Sequence, residues 1–247
     1  KGAKEGGGGK RVEVFVRNVG SDPAQVKAAV DELAANPRVA GLIGPMISST
    51  ADDAARSAQG KRIPVITLTQ KEGVTGSGDY VFRNFLTPSA QAAAVAEYAC
   101  RTLGKKKFVV LYPQNNYGGE LARFFEKEVR GRGCKVVRSL SYPQETSDFS
   151  SHIKLLFGVK GTKKKEGRRR IMEYNPTVAA DALYIPDFAE TVSMIAPYLA
   201  YYNINGVQLL GSNAWNSQKL LAAGRNVEGA VFVDGFFPKS LREGAHD

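Results

Sequence analysis

Val39-Ala40-Gly41-Leu42-Ile43-Gly44-Pro45-Met46-Ile47-Ser48-Ser49-Thr50-Ala51-Asp52-Asp53 carries the pattern of one strand, a tight turn and the start of a helix. The apolar run Val39 to Ile43 has the length of a buried strand and stops at Gly44-Pro45, a turn signal. Hydroxyl residues and then acids follow, the pattern of a helix start with carboxylates in its first turn. A strand that passes through a short turn into a helix is one step of a parallel sheet. Upstream, the β-branched run Val12-Glu13-Val14-Phe15-Val16 predicts a strand. Ser21-Asp22-Pro23 supplies an N-cap and an N1 proline for a helix with Val26, Val30 and Leu33 on one face, ending at Asn36-Pro37. Downstream, Ile63 to Thr67 is the next strand.

The alternation continues. Gly73 to Gly78 reads as a turn, because it lacks the preceding strand and following helix of a dinucleotide fingerprint. Tyr80 to Arg83 is strand-like, and Thr87-Pro88-Ser89 caps a helix running to about Leu103. Strands follow at Phe108–Tyr112, Cys134–Leu140, Ala182–Ile185, Val207–Leu210 and Gly229–Val233. Helices fall at Gly118–Arg130, Asp148–Phe157, Phe188–Tyr201 and Ser217–Ala223, and Gly158 to Thr177 is a polar interruption. Strands alternating with helices in two series predict an α/β protein of two Rossmann-like lobes, each with a parallel sheet covered on both faces. Lobe I is expected over 1–88, lobe II over 89–234, and a return segment toward lobe I over 235–247.

Composition fits this. The 247 residues are 43% hydrophobic and 23% charged, which excludes collagen, coiled coil and wholesale disorder. No apolar run approaches the roughly 20 residues needed to span a bilayer, and the Gly/Lys tract Lys1 to Lys10 has no apolar signal region. Of the net charge of +10, Lys160, Lys163, Lys164, Lys165, Arg168, Arg169 and Arg170 against Glu166 place +6 between Lys160 and Arg170, within the interruption. Without interleaved aromatics this reads as a solvated loop, so no nucleic-acid partner is expected. Cys100 and Cys134 allow one bridge, although buried free thiols are the commoner state.

In open parallel sheets, ligands bind beyond the carboxyl ends of the strands. The turn after Ile43 puts Ser48 and Ser49 at a helix N-terminus, where a serine either caps the helix or meets an anion such as a ligand carboxylate. After Thr67 come Thr69, Gln70 and Lys71, a solvated loop or a polar wall with one cation. Tyr117 follows the Phe108–Tyr112 strand with a stacking face and a hydroxyl, and either wedges a helix start or faces a ligand. Asp187 and Phe188, then Asn213 and Trp215, complete the ring; Trp215, flanked by amides, is expected to border a cleft. Catalytic patterns are poor: there is no His/Cys metal spacing, Walker loop or nucleophile elbow, and His246 and His152 suggest no base. No enzyme, cofactor or metal is expected.

Taken in order, Gly41-Leu42-Ile43-Gly44-Pro45 with Ser48-Ser49-Thr50, Ile63-Pro64-Val65-Ile66, Gly78-Asp79-Tyr80-Val81-Phe82-Arg83 and Tyr117-Gly118 resemble the type I periplasmic-binding-protein family, the branched-chain amino-acid receptors and their relatives. The resemblance covers roughly residues 11 to 238. It implies two lobes that close over a ligand by hinge bending. Ser48 and Ser49 would meet an amino-acid carboxylate beside Thr69 and Lys71, with Tyr117, Asp187, Phe188 and Asn213 on the other lobe. The family's acidic partner for the ligand ammonium is replaced by Asn213, which leaves Asp187 to supply a carboxylate. Such a receptor is periplasmic or extracellular and hands an amino-acid-like small molecule to an ABC-transporter permease.

A second branch is also similar. Thr67-Leu68-Thr69-Gln70, the insertion before Ala180 to Tyr184, and Leu209 to Asn216 resemble the penicillin-binding-protein activator lipoproteins. Those proteins bind a cell-wall synthase and carry a lipid anchor, which here would lie outside the chain. Both branches imply a protein that does not itself span the membrane. Against either, the first strand found matches the family's second, and the final helices are missing after Phe237-Pro238. The chain is therefore expected to be a fragment, truncated at both ends.

Overall fold

The computed structural model describes residues 12–166 and 169–235. The Lys1 to Lys10 tract, Arg168, Phe237-Pro238, His246 and nearly all of the expected return segment lie outside them. The chain separates into two compact units, with the boundary between Phe85 and Leu86.

The first unit holds α1 (Pro23–Ala35), β1 (Leu42–Ile43), α2 (Ser48–Lys61), β2 (Val65–Thr67) and β3 (Val81–Arg83). Asp22 caps α1 by accepting from the Ala24 N–H at 2.9 Å, and Pro23 opens the helix. The strands pair in parallel in the order β1-β2-β3. Leu42, Val65 and Val81 lie in one cross-strand row and are buried. On α2 they meet Ala51, Ala54, Ala55 and Ala58, whose small side chains let the helix lie close to the sheet. The next row, Ile43, Ile66 and Phe82, faces the other way and is exposed. Cover on both faces was expected of this sheet, and among the described residues it has cover on one.

The expected strand at Val12 to Val16 does not form. Val12, Val14 and Val16 are exposed and pair with no strand among the described residues. β propensity reflects fit to a half-buried pleated surface, and without a partner that surface does not exist.

The second unit holds α3 (Pro88–Glu97), β4 (Lys107–Pro113), α4 (Asn116–Gly131), β5 (Lys135–Tyr142), α5 (Ser150–Phe157), β6 (Lys160–Glu166), β7 (Arg169–Asn175), β8 (Ala182–Ile185), α6 (Ala189–Tyr201), β9 (Gln208–Gly211), α7 (Gln218–Leu221) and β10 (Val231–Phe232). Its five-stranded sheet runs β10-β9-β8-β4-β5, all parallel. Side chains alternate strictly between two cores. Val109, Leu111, Leu183 and Ile185 join α5 and α6, while Phe108, Val110, Ala182 and Tyr184 join α3 and α4. This is a doubly wound sheet with helices on both faces.

The interruption at Gly158 to Thr177 is not a solvated loop. β6 and β7 form a two-stranded antiparallel hairpin, with Lys163 opposite Met172 and Lys164 opposite Ile171. Three consecutive lysines show no apolar alternation. The strand is made by pairing with Arg169–Asn175, and Tyr174 anchors it against the Tyr202 ring at 4.9 Å.

Candidate functional site

In the first unit the carboxyl ends of β1 and β2 are laced together. The Gly44 N–H donates to Ile66 O at 2.9 Å, and the Leu68 N–H to Pro45 O at 3.1 Å. Gly44 has φ +115°, where a side chain is strained. Lacing these turns brings Ser48 against Thr69, and their hydroxyls share a hydrogen bond of 2.9 Å. The N-cap of α2 is Ile47, which closes the helix start with no side-chain bond, so neither Ser48 nor Ser49 is the cap. Both serines are exposed at the positive end of the helix dipole.

Starting at Ser48 also moves Asp52 and Asp53 out of the first turn, contrary to expectation. Asp52 instead binds the Lys71 ammonium at 2.6 Å, so that cation is neutralised within its own unit. The Lys71 backbone is fixed as well. Its N–H donates to Thr69 Oγ1 at 3.1 Å, and its carbonyl accepts from Arg83 at 2.8 Å. Gln70 lies half-buried between them in sequence.

In the second unit the ends of β4, β8 and β9 bring Tyr117, Asp187, Phe188 and Asn213 together. Asn115 caps α4 by accepting from the Gly118 N–H at 2.8 Å, which sets Tyr117 in the first turn. The Tyr117 hydroxyl donates to Ser212 Oγ at 2.9 Å, with Asn213 Oδ1 at 3.2 Å also in reach. Its ring stacks on Phe188, centroids 5.8 Å apart at 23°. Phe188 remains 56% exposed, an aromatic face offered at a strand end. Asp187 is 6% exposed. One carboxylate oxygen accepts from the Tyr142 hydroxyl and the other from the Phe188 N–H at 2.7 Å. Each oxygen keeps lone-pair capacity for another donor. Burial, with Asp187 nearby, raises the Tyr117 pKa above the usual tyrosine value, so its hydroxyl remains a neutral donor.

Trp215 does not border this group. It is fully buried, and its indole N–H donates to Ile185 O at 3.0 Å. The flanking amides misled: Asn216 is exposed and Asn213 half-buried while the ring between them turns into the core. Sequence reasoning passed over Ser212, Tyr142 and Gln91. Ser212 and Gln91 are fully buried polar residues, and Gln91 accepts from the Asn213 N–H at 3.1 Å. Nothing local marks them, since each acts through a partner far along the chain.

A hollow of about 300 Å³ lined by Phe157, Val178, Ile204 and Val207 lies at the amino ends of β8 and β9, away from the polar cluster. His152 is half-buried beside Tyr142 and Phe149. Among the described residues no group of three His, Cys, Asp or Glu could hold a metal ion. No helix among them is long and apolar enough to cross a membrane.

A family model described as periplasmic binding protein matches residues 2–247. Over 140 residues, 56% of this chain, the sequence is 26% identical to glutamate receptor 2.7 of Arabidopsis thaliana, covering 15% of that protein. Among solved structures, a putative branched-chain amino acid ABC transporter protein from Rhodospirillum rubrum superposes with a TM-score of 0.73 at 20% identity, over 90% of this chain and 59% of that one. A leucine binding protein from Thermotoga maritima gives 0.62 at 22% identity, over 96% and 62%. The chain thus spans about three fifths of the length of these structural relatives. At these identities the likeness establishes the fold.

Proposed function

The chain belongs to the periplasmic binding protein family, and from that premise we propose that it is an extracytoplasmic solute-binding protein of the ABC-transporter type, binding an α-amino acid or a similar small polar ligand without altering it. The observation that carries the reading is Asp187, a buried carboxylate at a strand end, set beside the exposed Phe188 ring and the Tyr117 hydroxyl. A buried charge is stabilised by donors and offers an ammonium group a partner that Asn213 cannot. On the first unit, the open start of α2 with Ser48, Ser49 and Thr69 suits a carboxylate. Lys71, bound by Asp52, has no charge to spare for the ligand and acts by holding Thr69 and Arg83. The ring pair of Tyr117 and Phe188 favours an apolar or aromatic side chain on the ligand.

The test is a thermal-shift screen of the full chain with the common amino acids and aromatic acids. A binder at 100 times its Kd stabilises by about 2.7 kcal/mol, an easily read rise in Tm. Asp187→Asn is expected to remove the response to amino acids, and Ser48→Ala to weaken it. No response to any compound, together with recovery of a cell-wall synthase from envelope extract, would replace this reading with the activator-lipoprotein one.

A further inference from the structure

Cys100 and Cys134 lie close together in space although distant in sequence. Cys100 sits in Tyr98–Thr102, a five-residue π-helical turn that continues α3. Cys134 stands in the turn between α4 and β5. Two independent ties join these segments. The Arg132 guanidinium binds the Glu97 carboxylate at 2.8 Å. The Cys134 thiol donates to Lys105 O at 3.4 Å, while the Lys105 N–H donates to Ala99 O at 2.9 Å. Both cysteines are free, buried thiols in this structure. They are 3% and 7% exposed, within one apolar cluster that includes Ala99, Phe125 and Val129.

No other use of the pair fits its surroundings. No metal-binding group occurs among the described residues. Burial pushes the Cys100 thiol up to about 12, with the neighbouring thiol adding to the shift, so the folded Cys100 holds almost no thiolate for nucleophilic work. The sequence contains only these two cysteines, so within the chain each has one possible partner.

We propose that Cys100 and Cys134 form a structural disulfide, closed as the chain folds, that fastens the end of α3 to the turn entering β5. The need for an oxidising compartment rests on the extracytoplasmic reading above. The oxidant is a disulfide, either of a thiol-oxidoreductase or of glutathione. One cysteine thiolate attacks a sulfur of that disulfide, breaking its S–S bond, forming a mixed disulfide and releasing one thiolate. The second cysteine thiolate then attacks the protein sulfur of the mixed disulfide and releases the other thiolate. The protein gives up two electrons and two protons, and the acceptor ends as two thiols. Because the fold buries both sulfurs away from an oxidant and suppresses the Cys100 thiolate, closure precedes completion of the fold.

The experiment refolds the reduced full chain from urea into a buffer of reduced and oxidised glutathione. Acid quenching, alkylation with iodoacetamide in denaturant and intact-mass measurement follow. The expected product has the mass of the reduced chain less two hydrogens, no alkyl group, and a proteolytic fragment joining the Cys100 and Cys134 peptides. Cys134→Ser in the same protocol retains one alkylated or glutathione-capped thiol. Wild-type chain carrying two alkyl groups, or capped by glutathione without an internal link, overturns the proposal. A bridged chain that answers to no amino acid would sink the solute-binding reading alone, and an unbridged chain that binds one would sink the disulfide alone.

Discussion

A Cβ on Gly211 would lie 2.1 Å from the Trp215 ring, so the glycine at the end of β9 is what lets the indole turn inward and bond Ile185. Gly211→Ala is expected to cost about 1–3 kcal/mol by overpacking. Urea unfolding followed by fluorescence of the single tryptophan reads this directly. Tyr184 gives the opposite case: its hydroxyl is buried and finds no partner among the described residues. Tyr184→Phe keeps the ring stacked on Phe125 and removes an unsatisfied group, so stability should hold or rise by about 1 kcal/mol. Tyr117, Tyr142 and Tyr184 all have pKa values raised, burial being the largest cause in each. In the unfolded chain tyrosine ionises near pH 10 (roughly). The unfolded state therefore releases protons first, and the stability these groups confer, complete below about pH 10, is lost as pH climbs beyond it. Urea midpoints should fall between pH 8 and pH 11 (roughly), and fall less steeply in Tyr184→Phe. The sequence showed which strand ends would carry polar groups, Asp187 and Asn213 among them. It could not show that Trp215 faces the core, because Gly211 makes room through a contact that no periodicity records.

At the level of elements, apolar alternation was legible wherever a strand is buried on both faces. β8 occupies the residues expected for it, Ala182 to Ile185, because all four side chains find cores. α1 and α3 begin at the residues their caps Asp22 and Thr87 announced. The failures are at the surface, where pairing and not composition decides. Val12 to Val16 has strand composition and no strand partner among the described residues, while Lys160 to Glu166 has little of that composition and a full antiparallel partner. This difference makes the β6–β7 hairpin separable. Replacing residues 161–174 by a short Gly/Ser link removes the Tyr174 contacts with Tyr201 and Tyr202, each worth about 0.5–1.5 kcal/mol. The five-stranded sheet keeps all its pairings, so the variant should stay folded by circular dichroism with a modestly lower urea midpoint. Collapse of the whole unit would show that the hairpin carries core contacts beyond Tyr174.

Across the whole molecule the two units are unequal in what they bury. Among the described residues, the core of the first contains Val, Ala, Leu and Ile and no aromatic residue, and its short sheet leaves Ile43, Ile66 and Phe82 uncovered. The second buries Phe108, Phe125, Tyr142, Phe149, Phe157, Tyr184 and Trp215 on two faces of a five-stranded sheet. Full burial of a large apolar side chain contributes roughly 1.5–3 kcal/mol, so the units cannot be equally resistant to local opening. Native-state hydrogen exchange is expected to rank them: amides of β2 and α2 should open at a free energy lower than those of β4 and β8 by on the order of 1 kcal/mol or more. Ile66→Ser on the uncovered row should change that ranking less, since the side chain it replaces is already 40% exposed, whereas Val65→Ala, one residue away and buried, should widen the gap. Equal protection in β2 and β8 would mean that the two cores unfold as one, and that the exposed row is covered in solution by something that also stabilises the first unit.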